Sequence, residues 1–198
     1  VEDEARFAQY DFMFLSESPM SGDSYLLKPI QLPFLCSEGW AARVEVLYWS
    51  DPANSDNYVP EPVVVVEGAT GHPLAAGYSA GDTMSLVSSP AGLIVPHTPT
   101  IQTIPIAVLA SADTMHLVYG VDAGTFCTDG SITGNRAAMV AIHAYGYPYL
   151  TEAAEKFYKA GIEWVLSPVS VEPEENITPS DFSLNQNYPN PFNPSTKI

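Results

Sequence analysis

The sequence predicts an α/β fold in which buried strands form a layered sheet and an amphipathic helix closes the domain. Two observations lead to this prediction. Residues 63–66 (VVVV) form an uninterrupted β-branched run, which is typical of a strand covered on both faces. Residues 151–166 repeat apolar side chains at three- and four-residue spacing, which indicates a helix with one buried face. Together they favour a layered α/β arrangement over a β-sandwich.

The first half of the chain predicts short elements separated by polar loops. Residues 1–10 are acidic and predict the last turns of a helix, and residues 11–16 predict a buried strand. A second short strand is predicted at residues 32–36. Residues 40–49 mix helical and strand periods, and we expect a helix at their start. Residues 51–57 are rich in turn-forming residues and predict a loop.

The second half of the chain predicts most of the sheet and the closing helix. Strands are expected at residues 85–95, 104–110, 117–119 and 137–143. Thr151 is a suitable N-cap for the helix, and Ser167 with Pro168 ends it. The predicted buried stripe of this helix consists of Leu150, Ala154, Phe157, Gly161, Trp164 and Val165.

The composition is that of an acidic protein with enough apolar residues for a core. Of 198 residues, 46% are hydrophobic, and 23 acidic against 7 basic residues give a net charge of −16. Such a chain repels phosphate backbones, which argues against a nucleic-acid partner. No apolar run approaches the ~20 residues of a transmembrane helix, so no transmembrane segment is predicted. The acidic surface and the 18 prolines suit an exported protein.

Two cysteines, Cys36 and Cys127, lie 91 positions apart. In an exported protein a long-range disulfide between them is chemically allowed. The alternative is a pair of buried free thiols. The spacing excludes a CxxC redox motif and a zinc ribbon.

Acidic residues follow two of the predicted strands. Glu17, Asp23 and Glu38 lie at strand ends, where open α/β sheets collect ligands. They are candidates for a sugar- or cation-binding crevice, although acidic loops are expected on any chain of this charge. The four histidines show neither HxH nor HExxH spacing, so we predict no zinc site and no cofactor.

Two further segments allow a binding and a structural interpretation. Tyr145, Tyr147 and Tyr149 alternate around Gly146 and Pro148. They form either an aromatic platform for a sugar or a partner, or a wall packed over the last helix. Residues 122–134 contain Asp-x-Gly and Asp-Gly steps but lack the order of an EF-hand loop, which favours a hairpin-like loop over a calcium site.

The C-terminal residues differ in composition from the rest. Residues 168–181 are rich in proline and glutamate and predict a linker. Residues 182–198 (FSLNQNYPNPFNPSTKI) contain three prolines, which exclude a helix or a central strand. We expect an extended tail that is ordered only through contact with its own domain, a neighbouring subunit or a sheet edge, and we favour the neighbouring subunit. Its apolar anchors are Phe182, Leu184, Tyr188 and Phe192.

The amino-acid sequence of this tail resembles the start of the C-terminal sorting domain of type IX secretion cargo. That family typically reads F-S-L-x-Q-N-Y-P-N-P-F-N-P-S-T, which residues 182–196 match. The resemblance implies export by the type IX machinery of a Gram-negative bacterium, followed by release or attachment at the outer cell surface. Family members continue for several more strands, whereas this sequence ends at Ile198.

Residues 1–167 resemble a different family. Residues 71–77 (GHPLAAG) are similar to the H-P-[IL]-x-x-G-[LY] segment of ThuA-like proteins, and residues 143–164 resemble their last strand, loop and helix. ThuA-like proteins belong to the class I glutamine amidotransferase-like superfamily, so the resemblance implies a flavodoxin-like layout. Such folds begin with a β-α-β unit before the strand predicted at residues 11–16, and here at most the last helix of that unit remains.

The resemblance also identifies a degenerate catalytic site. Amidotransferases use a cysteine on a strand-to-helix elbow, a histidine at the end of a later strand, and a glutamate two residues beyond it. Cys36 and His143 occupy the first two positions. The elbow glycines are replaced by Phe34 and Glu38, and the acid is replaced by Tyr145.

The sequence therefore predicts a secreted, surface-associated protein with a non-catalytic structural or interaction role in an extracellular assembly. The alternative is an extracellular carbohydrate-binding or carbohydrate-processing protein of the ThuA-like type.

Overall fold

The computed structural model describes residues 7, 9–16, 32–43, 46–55, 61–89 and 97–168, with the backbone alone for residues 51–55. The chain divides into a unit spanning Val1–Ser167 and a second spanning Pro168–Ile198. Glu17, Asp23, most of the predicted N-terminal helix, the linker after Pro168 and the whole tail lie outside the described residues.

The first unit is a mixed α/β domain that is dominated by its strands. Its long helix, α1, spans Glu152–Leu166, and short 3-10 turns lie at Gly39–Ala42, Glu67–Ala69, Pro73–Ala75 and Ala144–Tyr149. The strands are β1 (Met13–Leu15), β2 (Phe34–Cys36), β3 (Ser50–Ser55), β4 (Val63–Val65), β5 (Thr83–Met84), β6 (His97–Pro99), β7 (Ile104–Leu109), β8 (Ala112–Val121) and β9 (Ala137–Val140).

The nine strands of the described residues belong to a single sheet with a parallel and an antiparallel half. The main order is β1-β2-β9-β8-β7-β4-β5, and β6 joins β3 to β8. β1, β2 and β9 run parallel to one another, whereas the other pairs are antiparallel. Cys36 is in register with Met139, and Met139 with Tyr119, so these three side chains share one face of the sheet.

Helix α1 covers the opposite face. Leu35, Ala138 and Gly120 are in register across β2, β9 and β8. Gly161 of α1 lies against Leu35 and Ala138, and Trp164 of α1 lies against Gly120. Glycine at these two positions lets the helix and the sheet approach closely, since a side chain at either would meet its neighbours.

Aromatic side chains cover the face that carries Cys36. Trp49 stacks on Phe34, with ring centroids 5.5 Å apart, and meets Tyr119 edge-on at 6.3 Å. His97 from β6 meets the same Tyr119 ring at 5.3 Å. The centre of the sheet is therefore buried on both faces, with α1 on one side and the Trp49 and His97 rings on the other.

The structure confirms the predictions that came from strong local patterns. The run at residues 63–66 contains β4, and residues 104–110 contain β7. The predicted helix is α1, with the Thr151 side chain accepting a hydrogen bond from Ala154 N at 3.3 Å. Five of its six predicted stripe residues are buried, and Leu150 is half-buried against the core.

Three element predictions need correction. Residues 51–55, predicted as a loop, belong to β3, which pairs with β6. Of the strand predicted at residues 85–95, the described residues 85–89 form a bridge between Val87 and Leu150 instead of a strand, and residues 90–95 lie outside the described residues. The helix expected at the start of residues 40–49 is a short 3-10 turn, because the chain turns back so that Trp49 N donates to Ala42 O at 2.8 Å.

Candidate functional site

Cys36 lies at the carboxyl end of β2 and is completely buried. Its Sγ donates a weak hydrogen bond to the carbonyl oxygen of Glu38 at 3.4 Å. Burial raises the pKa of this thiol far above its ordinary value, and the nearby Glu38 carboxylate raises it further. Cys36 is therefore a protonated thiol at neutral pH, which is the opposite of an activated nucleophile.

The backbone at Cys36 also lacks the strain of a nucleophile elbow. Such an elbow holds its nucleophile on a sharp, strained turn between a strand and a helix. Among the described residues other than glycine, positive φ angles occur at Tyr48 and Ala76, and Cys36 is not one of them. After Cys36 the chain continues into the 3-10 turn Gly39–Ala42 instead of a long helix.

Ser37, the residue after the cysteine, is hydrogen-bonded to two other segments. Its side chain is buried, and its Oγ donates to the carbonyl oxygen of Ile142 at 3.1 Å. The Tyr158 hydroxyl from α1 lies 2.6 Å from the same Oγ. Burial raises the pKa of Tyr158 well above its ordinary value, so this phenol stays neutral. These bonds join the residue after β2, the segment after β9 and α1.

Glu38, a candidate ligand-binding carboxylate, is almost fully buried at 2% exposure. Its Oε1 accepts a hydrogen bond from Trp40 N at 3.0 Å, so the side chain caps the 3-10 turn Gly39–Ala42. An N-cap carboxylate satisfies a backbone donor that would otherwise be unpaired. In the structure, Glu38 therefore stabilises the 3-10 turn.

His143 follows the end of β9 by three residues and is half-buried. Its Nδ1 accepts a hydrogen bond from Tyr145 N at 3.2 Å, and its ring lies 4.8 Å from the Tyr145 ring. The side chain therefore caps the 3-10 turn Ala144–Tyr149. The Ser37–Ile142 hydrogen bond brings the segment after Cys36 to the segment before His143.

The three alternating tyrosines do not form one platform. They lie in a 3-10 turn with about three residues per turn, so positions two apart point in different directions. Tyr145 and Tyr149 are 68% and 40% exposed, whereas Tyr147 packs against the core. Only an extended segment would have aligned the three rings, and residues 144–149 form a 3-10 turn instead.

The acidic loop after β8 is held by its own side chains. Phe126 and Ile132 form an antiparallel bridge, as expected of a hairpin-like loop. Asp129 Oδ1 accepts hydrogen bonds from the backbone and hydroxyl groups of Ser131, and Asp122 pairs with Arg136 at 3.3 Å. Within the part of the chain that the structure describes, no three His, Cys, Asp or Glu side chains are grouped to hold a metal ion.

Cys127 lies in the same loop and is buried, with its N–H donating to Ser131 O at 2.8 Å. Neither Cys127 nor Cys36 forms a disulfide in the structure. Both sulfurs are thus present as buried thiols, which is the alternative to the disulfide allowed by the sequence.

A buried histidine–tyrosine cluster was not found from the sequence. His97 Nε2 lies 2.6 Å from the Tyr119 hydroxyl, and both side chains are fully buried. His116 packs against the same ring at 6.0 Å, and burial lowers its pKa below the ordinary value. The residues come from β6 and β8, and only the pairing of these strands unites them.

No known protein family, curated protein or solved structure is detectably similar to this chain. None of the helices in the described residues is long and apolar enough to cross a membrane.

Proposed function

We propose that this chain is a secreted, surface-associated protein with a non-catalytic role as an interaction or structural module of an extracellular assembly. The supporting observation is the closed carboxyl end of β2. Cys36, Ser37 and Glu38 are all buried and hydrogen-bonded within the domain. A catalytic nucleophile needs an accessible side chain that can be deprotonated. The Cys36 thiol at the end of β2 is buried and protonated.

Export and surface location follow in this proposal from residues 182–196, through their resemblance to the opening of a type IX sorting domain. The body has, in the same proposal, a flavodoxin-like layout of the amidotransferase-like type. The parallel β1, β2 and β9 with α1 packed on one face support that layout. In this proposal the type IX machinery is a transient partner during export, and another molecule at the cell surface is the permanent partner.

A specific test is delivery to the cell surface in a Gram-negative host that has the type IX system. We expect the full chain to be digested by protease added to intact cells, or to be found in the medium. A variant in which Tyr188, Pro189, Asn190 and Pro191 are replaced by alanine is expected to stay inside the cells. Equal surface exposure of both proteins would contradict the sorting role of the tail.

The second candidate function is carbohydrate binding, which the exposed Tyr145 and Tyr149 rings favour. Exposed aromatic faces are suited to stack against sugar rings. Binding of the purified protein to a panel of immobilised oligosaccharides would support this function if it is lost in Tyr145→Ala. Tyr147→Phe is the matched control, since Tyr147 packs against the core.

A further inference from the structure

Strand β1 lies at one end of the sheet, and no described strand pairs with its far side. Met13 N donates to Pro33 O at 3.0 Å, and Leu15 O accepts from Ser37 N at 2.8 Å. Backbone groups alternate sides along a strand, so the N–H and C=O of Phe14 point away from β2. Such an edge is a template for one more strand.

The side chain of Phe14 adds apolar surface to this edge. It lies on the α1 face of the sheet and meets the Tyr158 ring edge-on, with centroids 6.2 Å apart and planes at 84°. Phe14 is nevertheless 48% exposed. A strand added beside β1 would bring side chains next to this aromatic pair.

The sequence of the tail suits an edge strand that pairs on one side. In an extended backbone, every second residue shares a face and a hydrogen-bonding edge. Its apolar anchors all have even numbers, namely Phe182, Leu184, Tyr188 and Phe192. Pro189 and Pro191 have odd numbers, so the donors that they lack belong to the opposite edge. The even edge keeps its donors at Gln186, Tyr188 and Asn190.

Charge also favours the tail over other segments of the chain. Residues 182–198 contain Lys197 and no acidic residue, so all 23 acidic residues lie before the tail. Two copies with a net charge of −16 repel each other over most of their surfaces. The tail is the segment that approaches a second copy without that cost.

We propose that residues 182–192 of one copy add as a strand to the β1 edge of a second copy, with Tyr188 or Phe192 packing beside Phe14. This inference rests on the proposed function, because it names the partner in the assembly as a second copy of the chain. The prolines leave the outer edge of the added strand poorly able to accept another. The assembly then grows as the tail of each copy binds the β1 edge of the next copy, so the contact is head-to-tail.

The test compares two prolines at neighbouring positions of the full chain. Gln186→Pro removes a donor from the pairing edge, whereas Asn187→Pro removes one from the edge that already carries prolines. Sedimentation velocity over a concentration series measures self-association. We expect Gln186→Pro to weaken it about tenfold or more, and Asn187→Pro to leave it close to wild type.

Complementation then identifies the two surfaces. Phe14→Pro removes the edge donor of β1, and its fold is checked by circular dichroism, with Phe14→Asp as a second edge variant. Phe14→Pro and Gln186→Pro should each self-associate more weakly than wild type when studied alone. Their mixture should form a one-to-one complex, because Phe14→Pro retains an unaltered tail and Gln186→Pro retains an unaltered β1 edge.

Equal effects of Gln186→Pro and Asn187→Pro would overturn strand addition, as would a mixture that fails to form the complex when both variants are folded. Self-association that survives every variant would also overturn it, while an assembly role would stand. If the wild-type chain is monomeric at all concentrations, the proposal that a second copy is the partner is wrong. The surface-delivery experiment then judges the proposed function separately.

Discussion

Gly120 of β8 lies directly against the indole ring of Trp164 in α1. A Cβ atom added at position 120 would lie 2.8 Å from Trp164 Cη2 and 2.8 Å from Leu74 Cδ1. Both neighbours are buried, with Trp164 at 4% and Leu74 at 0% exposure. The contact fixes the distance between the helix and the sheet, because an indole ring has no flexible end that can move aside.

Gly120→Ala is therefore expected to destabilise the domain by about 1–3 kcal/mol, the usual range for overpacking a core. The measurement is the urea midpoint at unchanged slope. Gly68→Ala is the control, since a Cβ there has nothing within 4 Å and should change stability by no more than about 0.5 kcal/mol. Equal midpoints for the two variants would show that α1 is not seated on β8.

Gly161→Ala should cost less than Gly120→Ala. A Cβ at position 161 would lie 2.9 Å from Leu35 Cδ1, which is the end of a single side chain. Alanine also has a helix propensity about 1 kcal/mol better than glycine. In a double-mutant cycle with Leu35→Val, we expect the combined loss of unfolding free energy to be smaller than the sum of the single losses. Strict additivity would contradict the contact.

The elements that the sequence predicted well are those whose pattern is local. The valine run at residues 63–66 and the apolar stripe of α1 need no distant partner to be recognised. β3 was missed because Asp51, Pro52 and Asn54 are turn formers, and pairing with β6 imposes the strand. Pro52 is tolerated because β3 pairs with one strand among the described residues.

The contacts around the candidate site residues depend on residues that are distant in the sequence. The sequence placed Cys36 and His143 at the ends of predicted strands, and in the structure their neighbours Ser37 and Ile142 are joined by a hydrogen bond. The Tyr158 hydroxyl, 121 positions from Ser37, was not predicted, since only the packing of α1 brings it there. Burial of Glu38 was also missed, because an acidic residue is almost never buried without a partner.

The Cys36 thiol is expected to be unreactive in the folded protein. Burial raises its pKa far above the ordinary value, so the thiolate is scarce at neutral pH. Iodoacetamide should label Cys36 only after unfolding in urea, and both cysteines should then react, because neither forms a disulfide in the structure. An intact mass two hydrogens below the reduced mass would instead show that Cys36 and Cys127 pair.

The same geometry predicts no glutaminase or other cysteine-dependent hydrolase activity. An electrophilic glutamine analogue should not modify Cys36 in the folded protein, and His143→Ala should make no difference. His143 Nδ1 accepts a hydrogen bond from Tyr145 N, which commits that nitrogen to the 3-10 turn. Modification of Cys36 that is lost in His143→Ala would overturn the non-catalytic proposal.

His72 gives the domain a defined dependence on pH. Its Nδ1 accepts a hydrogen bond from Leu74 N at 3.1 Å, and its ring lies 5.8 Å from Trp164. Burial lowers the pKa of His72 below 6.5, while the Asp122 charge raises it and the Arg136 charge lowers it. The unfolded chain therefore binds a proton more readily than the folded chain. The contribution of His72 to stability is complete above a pH of about 6.5 and declines as the pH falls below it.

His72→Asn isolates this effect, because an amide oxygen accepts the same backbone hydrogen bond and does not titrate. Between about pH 7.5 and about pH 5.5, unfolding free energy from urea titrations should fall less in His72→Asn than in wild type. His116, whose pKa burial also lowers, is present in both proteins, so the difference reports on His72. His72→Ala is the matched control and should lose about 1 kcal/mol at the higher pH through the missing cap. If wild type and His72→Asn show the same dependence on pH, His72 does not stay neutral in the fold, and its Nδ1 does not hold the turn at Leu74.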